Sequence, residues 1–288
     1  MKLGINMLLW AGNLDDSHLP LFPKLKSMGY DGVEVPVCKF DMDFYKRLAN
    51  ELKNNALDCT ISMALPAKGA SFISDCDCER KAALDFMNRL FDVADVIGAK
   101  MIMGPFFQPL GVFSGCAPTE KEKARCLEGH AILAKNAQAR GITLTLEVLN
   151  RFECYMFNTI AQGAEHVAKI GNENLKLAFD TFHANVEEKD PLAVAEKYFK
   201  HIAHVHVSEN DRGIAGSGHA AIAPVIGKLV SLGYDDWFTL EMFGSPLPEM
   251  AAATCCWRPF FDDMLDACAQ SAKFLRAAMN EAISNKGK

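Results

Sequence analysis

A chain of 288 residues, half of them hydrophobic, is long enough to bury a large core. Its net charge of −6, with a pI near 5.8 and no basic stripe, argues against nucleic acid as a partner. No apolar run reaches the roughly 18 residues of a membrane helix, and residues 1–10 lack a signal-peptide cleavage pattern, so a cytoplasmic protein with no membrane partner is expected.

Short apolar runs alternate with longer amphipathic ones along the chain. Strands are predicted over residues 3–8, 32–35, 59–63, 100–103, 143–146, 176–179, 203–207 and 238–240. A first helix is predicted over 19–28, closed by Gly29. Residues 78–97 carry Leu84, Met87, Phe91 and Ala94 at helical spacing and stop at Gly98. Thr119-Glu-Lys-Glu122 reads as a capping box opening a helix to Arg140, with Gly141 behind it. Asp190-Pro191 supplies an N-cap and a proline at the first helical position. Leu232-Gly233 closes the helix before the last strand. Residues 259–283 read as a long amphipathic helix, and about 284–288 as a disordered polar tail.

Eight strand–helix alternations imply a parallel sheet closed into a single (β/α)₈ TIM barrel, one domain over residues 1–288. Neither a G-x-G-x-x-G nor a G-x-x-x-x-G-K-[ST] stretch follows any strand, which removes the support for dinucleotide and P-loop readings. Ten cysteines are scattered, with Cys76/Cys78 and Cys255/Cys256 the close pairs. Without recurring C-x₂-C spacing they read as reduced thiols, not as a zinc site.

Four metal-preferring side chains fall at the ends of the last four predicted strands: Glu147, Asp180, His206 and Glu241. They are 33, 26 and 35 residues apart, each close to one strand–helix–loop unit, so they can meet at one mouth of a barrel. A single Glu after a strand is ordinarily a solvated loop charge; four in consecutive units need a compensating cation. Three carboxylates and one imidazole suit Mn²⁺ or Mg²⁺, and less clearly Co²⁺. Glu147 and Glu241, from strands across the mouth, can flank a bound substrate. One carboxylate on each face is what inversion at a carbon by proton removal and return requires.

Glu147-Val-Leu-Asn-Arg-Phe-Glu153, Asp180-Thr-Phe-His183, His204-Val-His206 and Ser208-Glu-Asn-Asp-Arg212 together resemble the ketose 3-epimerases: the D-tagatose, D-psicose (allulose) and L-ribulose 3-epimerases of the xylose-isomerase-like TIM barrels. The resemblance runs over essentially the whole chain. It implies a cytoplasmic isomerase that epimerises a free small-molecule ketose at C3 through a cis-enediolate. Glu147, Asp180, His206 and Glu241 would hold one divalent ion, Mn²⁺ foremost, with Glu147 and Glu241 as the acid/base pair. It further implies that Glu153, His183 and Arg212 bind substrate hydroxyls, and that the chain forms a homodimer or homotetramer.

The walls around the far end of the sugar depart from the family. Asn6, near the end of the first strand, stands where relatives often carry an aromatic residue. Phe106 and Phe107 either wall the C4–C6 end or cover the barrel mouth. Glu34 reads as a support for the metal ligands or as a buried ion pair, and His204 as a hydrogen-bonded core histidine. Rival readings are a C1–C2 sugar or hydroxypyruvate isomerase, an inosose-type lyase, and a non-catalytic sugar-binding barrel. An endonuclease-IV-like enzyme would need a basic groove that the acidic pI does not offer.

Overall fold

The computed structural model describes residues 1–244 and 247–286. Eight strands, β1 (Lys2–Asn6), β2 (Gly32–Pro36), β3 (Asp58–Ser62), β4 (Met101–Gly104), β5 (Thr143–Glu147), β6 (Leu175–Asp180), β7 (Ile202–Val207) and β8 (Trp237–Leu240), pair in parallel with their sequence neighbours, and β8 closes onto β1. The expected TIM barrel is present, with strand ends shifted by one or two residues. The first strand ends at Asn6 because Met7–Leu9 coils into a 3₁₀ turn, with the Asn6 side chain accepting the Leu8 N–H.

The surrounding helices are α1 (Leu21–Ser27), α2 (Met42–Asn54), α3 (Asp77–Ile97), α4 (Glu120–Arg140), α5 (Ile160–Ile170), α6 (Thr181–Glu187), α7 (Pro191–Lys197), α8 (Ile222–Ser231), α9 (Pro248–Thr254) and α10 (Met264–Asn285). Thr119 and Glu122 cap α4 reciprocally, and Gly141 ends it in the left-handed region at φ 63°. Two short helices lie outside the predicted pattern: α6, which starts directly on Asp180, and α9, in the segment beyond β8. Helix α10 starts later than expected, at the Asp263 cap, and runs to Asn285. The expected tail therefore begins inside it, and residues 287–288 lie outside the described ones.

Cys76 and Cys78 form a disulfide, a correction to the reading of reduced thiols. Cys76 is the extended N-cap of α3, and the turn into the helix brings the two Cα atoms to 5.3 Å, within disulfide reach. No described helix is long and apolar enough to cross a membrane.

Period-two alternation puts Thr145/Glu147, Ala178/Asp180, His204/His206 and Thr239/Glu241 on the interior face, while Leu144, Leu146, Leu177, Phe179, Val205 and Leu240 pack outward under the helices. At the end of β4 the chain passes β3 so closely that only glycine fits. Gly104 has φ 142°, and a Cβ there would collide with the Met63 carbonyl oxygen. Gly104→Ala is expected to lose about 3 kcal/mol or more in chemical unfolding; a loss under 0.5 kcal/mol would contradict the close approach.

Candidate active site

The predicted quartet converges. Glu147 and Asp180 end β5 and β6, His206 lies in β7, Glu241 follows β8, and one ligand atom from each falls within 4.8 Å of all the others. All four are buried. His206 Nδ1 lies 3.5 Å from Glu147 Oε1, 3.7 Å from Asp180 Oδ2 and 3.4 Å from Glu241 Oε1. Asp180 divides its carboxylate between two tasks. Oδ1 caps α6 by accepting the N–H groups of Phe182 (2.6 Å) and His183 (3.0 Å), while the buried Oδ2 has no hydrogen-bond partner.

The predicted sugar-binding groups surround the quartet. Arg212, at φ 66°, lies between the rings of Phe182 and Phe243 and donates from Nη1 to Glu241 Oε2 at 2.6 Å. Glu153 accepts from Asn150 Nδ2 at 2.8 Å and lies 3.7 Å from Arg212 Nη2. The Asn150 backbone N–H points at His183 Nδ1 at 3.1 Å, so Nδ1 is the acceptor and the ring proton sits on Nε2. Nε2 then meets Arg212 Nη2 at 3.2 Å, donor facing donor, and both residues line the cavity. Two donors in that relation suit one shared oxygen acceptor, as a sugar hydroxyl or carbonyl would provide. Asn150 had no assigned role from the sequence, although it lies inside the Glu147–Glu153 motif.

Beneath the quartet is a second ring that sequence reasoning reached only in part. Glu34, fully buried, accepts from His206 Nε2 (2.6 Å), Asn6 Nδ2 (3.1 Å) and Thr60 Oγ1 (2.9 Å), and His204 Nε2 lies 2.9 Å away. Burial by itself would raise the Glu34 pKa, but His206 and His204 outweigh it and the net shift is downward. Asn6 also donates to Glu241 Oε1 at 3.1 Å. It sits under the metal-type ligands and does not line the cavity, which corrects its expected place on the sugar wall. Phe107 is likewise displaced: it is fully buried against Phe157 and off the cavity. The residues after β4 that do reach the cavity are Pro105 and Leu110.

The quartet fits a cation. With Nε2–H bound to Glu34, the Nδ1 lone pair of His206 faces three carboxylates and has no hydrogen-bond partner. In the absence of a metal this arrangement draws a proton onto His206: burial opposes the charge there, yet Glu34 and Glu241 hold the pKa well above the ordinary histidine value. Burial also raises the pKa of Glu147, aided by repulsion from Glu241. A divalent ion held by Glu147, Asp180, His206 and Glu241 would satisfy both orphaned atoms at once. Glu34→Gln is accordingly expected to weaken Mn²⁺ binding by about 10- to 100-fold in calorimetry with the fold intact; an unchanged affinity would remove Glu34 from the support of His206.

A second buried cluster, Cys126, His130 and His166, is not built for a metal. Cys126 Sγ is nearly equidistant from both His130 ring nitrogens, at 3.8 and 3.7 Å, and so lies off the lone-pair directions. The rings instead bond each other. His130 Nε2 donates to the Phe106 carbonyl at 3.0 Å, and Nδ1 accepts from His166 Nε2 at 2.9 Å. Burial lowers His130 to about 4 and His166 to about 2, so both are neutral when folded and take up protons when unfolded below about pH 6.5. The unfolded chain binds more protons in that window, so stability falls as pH drops from 6.5 to 4. Each ring contributes a slope of up to about 1.4 kcal/mol per pH unit. Urea midpoints followed over that range should show the decline, and His166→Gln should flatten it.

Residues 22–277 match the model of the xylose isomerase-like TIM barrel family. An L-ribulose 3-epimerase of Mesorhizobium japonicum is 29% identical, covering 98% of this chain and 95% of its own. A ketose 3-epimerase of Arthrobacter globiformis is 27% identical, covering 96% of each chain. A solved structure of an L-ribulose 3-epimerase superposes with a TM-score of 0.91 at 27% identity, covering 99% of this chain and 96% of that one. With a closed eight-stranded parallel barrel and a match spanning most of its length, this chain belongs to the xylose isomerase-like TIM barrel family.

Proposed function

We propose that this protein is an isomerase, a divalent-metal-dependent ketose 3-epimerase. The observation that carries the reading is the pair Glu147 and Glu241, from strands across the barrel mouth, with Arg212, His183 and Glu153 gathered beside them. The relatives named ketose and L-ribulose 3-epimerases support it. Glu153, His183 and Arg212 hold the oxygens on C1 to C3 of a free ketose, so that C3 lies between the two glutamates. The ion held by the quartet, Mn²⁺ by preference and otherwise Mg²⁺ or Co²⁺, supplies Lewis-acid polarisation of the C2 carbonyl.

One glutamate takes the C3 proton and the other returns a proton to the opposite face of the cis-enediolate, their roles exchanging with the direction of reaction. Arg212, 2.6 Å from Glu241 Oε2, orients that carboxylate in the cavity. Fixing the substrate against this frame lowers the entropic part of the barrier. The reading includes self-association into a homodimer or homotetramer, supported by the exposed aromatic rings of Phe113, Phe152 and Trp257 on segments that follow β4, β5 and β8.

Mn²⁺-loaded protein incubated with ketoses in D₂O is expected to give the C3 epimer carrying deuterium at C3, read by NMR. Glu241→Gln at saturating Mn²⁺ should lower kcat by about 10²- to 10⁴-fold while ketose binding persists. An aldose product, with the C3 proton retained, would replace the epimerase by a C1–C2 isomerase. Binding without turnover in the unmodified protein would replace it by a sugar-binding barrel.

A further inference from the structure

The cavity of about 260 Å³ above the quartet is divided by chemistry. Its charged lining, Glu147, Glu153, His183, Arg212 and Glu241, comes from β5 to β8 and the segments that follow them. The opposite wall, from β1 to β4 and α9, is built chiefly of Leu8, Met63, Met103, Pro105, Leu110 and Met250. Resting on the reading above, in which O1 to O3 occupy the charged half, we infer that the site selects ketohexoses that end in a methyl group, 6-deoxyketohexoses, over the parent sugars with a C6 hydroxyl.

Three observations carry this. First, the hydroxyl with an open donor among the described residues of the apolar wall sits deep. Ser62, at the end of β3, lines the cavity at 3% exposure, and its Oγ has no hydrogen-bond partner. It stands level with Met103 in the β3–β4 register, at strand depth, where the middle of a sugar chain would reach it through O4 or O5. Leu110 and Met250 come from segments beyond the strand ends and meet whatever extends further out.

Second, the other hydroxyl among the described residues of this wall has spent its proton, since Thr254 Oγ1 donates to the Met250 carbonyl at 2.7 Å and can offer a sugar only an acceptor. A C6 hydroxyl placed against thioethers and aliphatic carbons gives up its water without replacement, whereas a methyl group gains from the same contact. Third, Arg212 is the only Lys or Arg among the described lining residues, and it is engaged with Glu241, Asp180 and Glu153. The outer end thus offers no cation for a terminal phosphate.

The test compares a 6-deoxyketohexose, its parent ketohexose of the same configuration and the 1-deoxy isomer on the Mn²⁺-loaded protein. Both binding by calorimetry and kcat/KM for C3 epimerisation are measured. The 6-deoxy sugar is expected to exceed its parent about ten-fold or more in affinity and in kcat/KM, while the 1-deoxy isomer, which removes a hydroxyl from the charged half, falls below the parent. Leu110→Asn, which places an amide on the outer wall, should narrow the 6-deoxy advantage several-fold by improving the parent. Equal or better handling of the parent, or a ratio untouched by Leu110→Asn, would overturn the inference and leave the epimerase reading standing. A 6-deoxy preference in binding with no exchange at C3 for any sugar would do the reverse.

Discussion

Four carboxylates and three imidazoles share one buried barrel mouth, and the balance of their charges governs the rest of the structure. Glu34, Glu147, Asp180 and Glu241 are each at most 6% exposed, and among the described residues their repulsion is answered by Arg212, the imidazoles and the donors Asn6, Thr60 and the Phe182 and His183 N–H groups. Arg212 can neutralise one carboxylate closely, and Glu34 fixes His206 Nε2 from beneath. What is left, Asp180 Oδ2 and His206 Nδ1, is a pair of inward-facing acceptors without donors. Burying such a pair is costly unless a cation sits between them. The four residues therefore form a candidate metal site whose supporting hydrogen bonds are already made.

The scaffold divides this work around the barrel. Strands β5 to β8 bring the candidate ligands at or next to their ends, where period-two alternation turns them inward, and the segments that follow bring Glu153, His183 and Arg212 to the cavity. Strands β1 to β3 bring the supports: Asn6 and Glu34 contact Glu241 and His206 from below, Thr60 holds Glu34, and the cavity wall above them is left chiefly to apolar side chains. Asp180 serves two tasks: one oxygen starts α6 and so positions His183, while the other, without a hydrogen-bond partner, belongs to the candidate ligand quartet. The donor nitrogens of His183 and Arg212 are thereby set side by side through backbone geometry, and the tautomer of His183 is fixed by the Asn150 N–H.

Much of this was legible in the sequence because it is local. Alternating apolar runs with Gly and Asp at their ends mark strands and helices by their own propensities, and regular spacing puts Glu147, Asp180, His206 and Glu241 at equivalent points of successive units. The short motifs around them carry His183, Arg212 and Glu153. Apart from the local Cys76–Cys78 disulfide, prediction and structure part where the deciding contact joins segments far apart in the chain. Asn6 was expected to face a sugar, but its neighbours Glu34 and Glu241 are 28 and 235 residues away, and only barrel closure brings them together. Phe107 was expected on the cavity wall. It packs instead against Phe157, 50 residues on, and Pro105 and Leu110 face the cavity.

The sequence by itself therefore determined the barrel and the equivalent placement of the four candidate ligands, since periodicity and spacing are properties of short stretches, while Glu153, His183 and Arg212 were singled out by motifs that resemble a family. Tertiary structure alone decided depth and direction: which polar residues lie beneath the ligands, which nitrogen of His206 and of His183 faces the cavity, and which half of the cavity is apolar. Those outcomes depend on which side chains meet across the closed barrel, and a hydrogen bond between β1 and β8 or between β2 and β7 leaves no periodic trace in either strand.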